Sequence, residues 1–129
     1  MATRQEILSK RPTSPHLTIY KPQISSTLSI FHRMTGVALY LSLLFISWWM
    51  ISFVFYGECE CVKQMMNSSP FLLVIMAFSY AVSYHLLNGI RHLLWDIGYG
   101  FSIESMNKTG WSVVMLSILI TAGFWWSVL

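Results

Sequence analysis

PFLLVIMAFSYAVSYHLLNGIRHLLWD, Pro70 to Asp96, decides how this chain folds. Its first 21 residues, Pro70 to Ile90, contain no Asp, Glu, Lys or Arg. About 20 such residues in a helix cross a ~30 Å hydrocarbon core. Two other runs share the property: Met34 to Phe55, 22 residues, and Thr109 to Leu129, 21 residues. The composition agrees, at 55% hydrophobic and 10% charged. An ordinary soluble domain carries roughly 25% charged residues. The sequence therefore predicts an all-α membrane protein with three transmembrane helices, spanning about 30–55, 70–93 and 109–129, with no soluble core left over.

The organisation follows from this. Residues 1–24 read as an arm on the inner side, and residues 25–129 as the three-helix membrane domain. Pro12, Pro15 and Pro22 prevent a continuous helix through the arm, and His16 to Tyr20 is expected to be extended. Helix one is expected to begin near Ser25 or Ser26. Ser69 should cap the second span with Pro70 at its first position, Gly98 and Gly100 should end it, and Thr109 should cap the third.

Charge sets the orientation. Arg4, Lys10, Arg11, Lys21 and Arg33 precede the first span, and Arg91 and Lys108 are assigned to the second loop. The first loop carries only Lys63, beside Glu58 and Glu60. By the positive-inside rule, the N-terminus and second loop face the cytoplasm or matrix. Trp95 and Trp111 mark that interface, and Trp48, Trp49, Trp125 and Trp126 the other. The net charge of +3 is thus sorted by side of a membrane and is not a nucleic-acid signal. The opening MATRQEILSKRP is a poor organelle presequence and no secretory signal is read, which favours a bacterial or organelle-encoded protein. Cys59 and Cys61 stand too close in sequence for a relaxed disulfide and are too few for a metal site.

One ionisable ring lies inside an apolar run. His85, Asn88, Gly89, His92 and Asp96 recur at helical spacing and should share a face. His85 should lie ~10 Å deeper than His92. Burying such a ring in hydrocarbon calls for a partner or a ligand. A flat macrocycle could place its metal on His85, pass close over Gly89, and turn acidic edges toward His92 and Arg91, which is the geometry of a b-type haem. The pattern equally allows a plain hydrogen bond to a neighbouring helix. His16, His32 and His92 all fall near the inner surface, so a second axial ligand would have to come from a partner.

SIFHRMTG, Ser29 to Gly36, is a second constellation. Ser29 and Arg33 lie four apart on one face with His32 beside them. A hydroxyl and a guanidinium can bond a quinone carbonyl and stabilise the anion formed on reduction. Spacing alone favours a simpler reading, an interfacial arginine that snorkels to phospholipid.

Taken together, RPTSPHLTIYKPQISSTLSIFHRMTG and YHLLNGIRHLLWDIGYG resemble the cytochrome b membrane-anchor family of succinate dehydrogenase, complex II, most closely its alphaproteobacterial and mitochondrial branch. The patterns are S-x-x-H-R-x-T-G and H-x-x-x-G-x-R-H-x-x-x-D, and with three spans in order the likeness covers nearly the whole chain. The resemblance implies half of a heterodimeric helical anchor, with one haem b shared with a second small anchor subunit. It implies that His85 is the axial ligand, that His32, Arg33 and His92 lie near the propionates, and that Ser29 and Arg33 contact ubiquinone. It implies a flavoprotein that oxidises succinate, a step of the tricarboxylic acid cycle, and an iron–sulfur subunit that carries the electrons. This chain itself would contribute no catalytic residue for succinate. The expected location is the bacterial inner membrane with a cytoplasmic N-terminus, or else the mitochondrial inner membrane with the N-terminus in the matrix. An anchor of a fumarate-reducing enzyme and a cofactor-free structural anchor remain open beside this. A small transporter is disfavoured, because the first and third spans carry only scattered Ser and Thr.

Overall fold

The computed structural model describes residues 3–12, 21–57 and 60–128, and among them every regular element is helical. The elements are α1 (Arg4–Ser9), α2 (Ile24–Tyr56), α3 (Glu60–Met66), α4 (Ser69–Asp96) and α5 (Ile103–Val128). Three of them, α2, α4 and α5, are long and apolar enough to cross a membrane. The chain is an all-α membrane protein, as the charge-free runs predict.

Each spanning helix is longer than its charge-free run, because polar turns extend beyond the hydrocarbon. The 33 residues of α2 would reach about 50 Å, well beyond a ~30 Å core. Its first turn begins at Ile24 behind Gln23, whose carbonyl accepts from the Ser26 and Thr27 hydroxyls. α4 begins at Ser69 with Ser68 before it and Pro70 in the first turn, one residue earlier than expected. The Ser68 hydroxyl closes α3 by donating to the Met65 carbonyl. The end of α4 is as expected: Gly98 takes φ +90°, its amide donates to Trp95, and the Tyr99 amide donates to Leu94. This is the paired closure of a Schellman motif.

Thr109 does not cap the third span. α5 starts six residues earlier, where the Ser102 hydroxyl accepts from the Ser105 amide. The Glu104–Lys108 ion pair at 2.8 Å supports those extra polar turns. The arm adds an unexpected short helix, α1, opened by a reciprocal cap between Thr3 and Glu6. The expected extended stretch at 16–20 lies outside the described residues. Cys61 in α3 is disulfide-bonded, against the sequence expectation.

α4 lies between the other two spans, packing against both α2 and α5, while α2 and α5 touch less. The buried set is small: Leu28, Ala81, Tyr84, Val113 and Trp125, with the polar Asn88, Arg91 and Ser117. Large apolar side chains cover the outside, as lipid-facing helices require. Close approach depends on Gly110, buried where α5 meets α2. A Cβ there would stand 3.1 Å from Leu28 Cδ1 and 3.4 Å from Ile24 Cδ1.

Gly110→Leu should therefore force the helices apart and cost about 1–3 kcal/mol of stability. Gly123→Ala, with nothing within 4 Å of an added Cβ, should be neutral or stabilising by up to about 1 kcal/mol. Thermal unfolding of the two variants in detergent checks the contrast.

Candidate functional site

The N-terminal half of α2 and the C-terminal half of α4 meet through polar groups. His85 Nδ1 lies 3.2 Å from the His32 carbonyl and 3.1 Å from Thr35 Oγ1. The Thr35 hydroxyl proton is already directed to the Phe31 and His32 carbonyls, at 2.9 Å each. Two oxygens thus face Nδ1, and a backbone carbonyl can only accept. A proton on Nδ1 suits both oxygens, and the neutral ring in that tautomer has a free lone pair on Nε2. Among the described residues nothing bonds Nε2. Gly36 seats the ring against α2: a Cβ at that position would lie 3.1 Å from His85 Cε1.

His32 stacks on His85, with ring centroids 4.0 Å apart and planes 8° from parallel. His92 follows 5.2 Å from His32 and meets the edge of Trp95 at 5.0 Å. The three imidazoles form a row along the helix contact. His32 therefore reaches the depth of His85 instead of staying at the inner surface. Its Nδ1 is buried without a hydrogen-bond partner among the described residues. The space beside Gly89 is used by His32, whose Cε1 would be 3.7 Å from an added Cβ. Ser29 is half-buried, its hydroxyl unbonded among the described residues, and Arg33 is exposed.

Part of the expected face is divided. Asn88 is fully buried, donating through Nδ2 to the Leu28 carbonyl at 3.3 Å. The Tyr84 hydroxyl donates to the same carbonyl at 2.8 Å. Asp96 is exposed, and the cations that could pair with it are engaged elsewhere: Lys108 with Glu104, and Arg91 with neutral groups.

Arg91 is the largest departure. It lies in α4, not in the second loop, and is 3% exposed. Nε donates to Thr109 Oγ1 at 3.1 Å, Nη1 to Asn88 Oδ1 at 3.4 Å, and Nη2 to the Met106 carbonyl at 3.0 Å. Its guanidinium lies 4.2 Å from the centroid of the Trp95 ring. It faces α5 and is not at the basic rim that the sequence assigned to it. Sequence reasoning gave no role to Thr35 or Gly36, and read Tyr84 only as a packing and helix-contact residue. The T-G in S-x-x-H-R-x-T-G was the one signal for the first two.

Comparison with known proteins places this geometry. Residues 8–124 match the family described as succinate dehydrogenase/fumarate reductase transmembrane subunit. The chain is 56% identical over 128 residues to the succinate dehydrogenase cytochrome b556 subunit of Rickettsia typhi, covering 95% of this chain and 96% of that one. It is 42% identical over 124 residues to the cytochrome b560 subunit of Reclinomonas americana, covering 89% and 84%. It is 39% identical over 123 residues to the mitochondrial cytochrome b560 subunit of Mus musculus, covering 89% and 70%. The match extends from the arm through all three spans, and the chain belongs to the succinate dehydrogenase/fumarate reductase transmembrane subunit family.

Proposed function

We propose that this membrane anchor binds one haem b through His85, shares it with a second anchor subunit, and forms part of a ubiquinone-reduction site. The observation that carries the reading is the state of His85. A metal-bound imidazole usually donates its other N–H to a carbonyl, which fixes its tautomer and orientation. His85 has that arrangement, with Nδ1–H held by the His32 carbonyl and Thr35, and Nε2 left bare. The donor set therefore fits an axial ligand. His32 does not supply the opposite one, because rings stacked at 4.0 Å leave no room for an iron between them. The second ligand comes from the partner anchor. His32 Nδ1, without a hydrogen-bond partner among the described residues, is available for a propionate, and His92 and the exposed Arg33 continue the donor row beyond it.

When bound, the haem supplies a one-electron store close to the quinone. The rest is done by this chain's side chains. Ser29 and Arg33 are unengaged donors on the turns beside that row of imidazoles. They hydrogen-bond the quinone carbonyl, and the guanidinium stabilises the negative charge that builds on oxygen during reduction. Electrons reach the site from succinate through a flavoprotein and an iron–sulfur subunit held on the inner side. A fumarate-reducing enzyme would use the same contacts in reverse, since the potentials of quinone and centres set the direction. The basic residues Arg4, Lys10, Arg11, Lys21 and Arg33, together with the Rickettsia relatives, support a bacterial inner membrane with the N-terminus in the cytoplasm.

His85→Ala should abolish the low-spin b-type signal in a reduced-minus-oxidised optical spectrum of the purified complex, while the complex still inserts and assembles. An unchanged bis-histidine spectrum would overturn the ligand assignment. Arg33→Ala should lower succinate-to-ubiquinone turnover by about 100-fold and leave succinate oxidation by an artificial dye near normal. Ser29→Ala should do the same more mildly. Equal losses in both assays would mean misassembly, not a damaged quinone site.

A further inference from the structure

Consecutive turns of α2 are gripped by α4 through backbone carbonyls. The Leu28 carbonyl accepts from Tyr84 Oη at 2.8 Å and Asn88 Nδ2 at 3.3 Å. One turn later the His32 carbonyl faces His85 Nδ1 at 3.2 Å. By helix geometry the Leu28 carbonyl also accepts the His32 amide, so it serves three donors. Asn88 is itself held by Arg91 Nη1, and Arg91 by Thr109 and Met106 at the start of α5. All four residues of this bracket, Leu28, Tyr84, Asn88 and Arg91, are buried.

Ser29 and Arg33 each follow one of the gripped residues. A step of one residue turns the helix by about 100°. The bracket therefore fixes the rotation of α2 about its own axis, and with it the direction in which Ser29 and Arg33 are presented. In lipid, helix faces are not sorted by hydrophobicity, and polar contacts of this kind set their rotation.

We infer that Tyr84 and Asn88, backed by Arg91, are positioning residues of the quinone site: they hold α2 at the Leu28 carbonyl so that Ser29 and Arg33 face the quinone. This rests on the assignment of Ser29 and Arg33 as quinone contacts. It adds a function to residues that are buried in the helix contact and bonded to the backbone of α2 and to one another.

The test uses the whole complex with Tyr84→Phe, Asn88→Leu and, as a reference, Ser29→Ala. Steady-state kinetics with a short-chain ubiquinone give KM and kcat, and dye-linked succinate oxidation and the haem spectrum are recorded in parallel. Tyr84→Phe keeps the ring and removes one bond to Leu28. It should raise the quinone KM about fivefold, the worth of one hydrogen bond, with kcat at saturating quinone, dye activity and haem content unchanged. Asn88→Leu should do at least as much. Should it fail to assemble, Tyr84→Phe decides alone. An unchanged KM in Tyr84→Phe, alongside a raised KM in Ser29→Ala, overturns the inference and leaves the quinone assignment standing. Unchanged KM and unchanged quinone turnover in Ser29→Ala remove the quinone assignment and this inference with it. A lower melting temperature with an unchanged KM would make the bracket a structural tie only.

Discussion

The hydrogen bond between His85 Nδ1 and the His32 carbonyl is the contact on which the inner half of this molecule depends. A helix in lipid has no hydrophobic gain from docking on another helix, because the tails it displaces are as apolar as its own side chains. Close packing and polar contacts must supply what water supplies elsewhere. Here the same few atoms do both. Gly36 lets the imidazole approach, the His32 carbonyl and Thr35 take its proton, and His32 then folds its own ring over the result. Because the carbonyl belongs to the backbone, the acceptor cannot rotate away from the ring. The tautomer of His85 is thereby a property of the fold.

Arg91 shows the same economy at the other face of α4. A buried guanidinium ordinarily wants a carboxylate, and stranding it without partners would cost several kcal/mol. This one is surrounded by neutral acceptors, Thr109 Oγ1, Asn88 Oδ1 and the Met106 carbonyl, with the Trp95 ring beside it. A fork of five donors can satisfy itself on dipoles in this way where a lysine could not. The acceptors come from both α4 and α5, so the cation ties the third span to the helix that carries His85.

The spans were legible in the sequence because crossing a membrane is a one-dimensional requirement of length and absence of charge. His85 was legible for the same reason, as the ionisable residue inside an apolar run. Rotation was not. Asn88 and Asp96 share the helical stripe of His85, but α4 has neighbours on two sides, and Asn88 is drawn to the Leu28 carbonyl near α5 while His85 turns to His32. Arg91 was placed at the rim by its charge alone, since its acceptors lie 15 and 18 residues further on in α5. Thr109 was taken for a cap because it opens the charge-free run, yet Glu104 and Lys108 carry the helix beyond that run. The reason Thr35 and Gly36 accompany His32 became visible only with α4 beside them.

The specific contacts are also unevenly distributed through the membrane. Outward of His85, α2 and α4 separate around a groove of about 760 Å³, lined by residues such as Phe45, Trp49, Phe71 and Phe78. Its two hydroxyls, Ser42 and Ser79, donate to carbonyls of their own helices, and the rest of the lining is apolar but for the Trp49 indole N–H. The network that can fix a direction, from Thr35 and His85 to Arg91 and Thr109, lies in the inner half. A redox site requires donors held in place to a fraction of an ångström. In this chain the side chains held in that way run from Thr35 and His85 to Arg91 and Thr109, and among the described residues the groove between Phe45 and Phe78 has no comparable network.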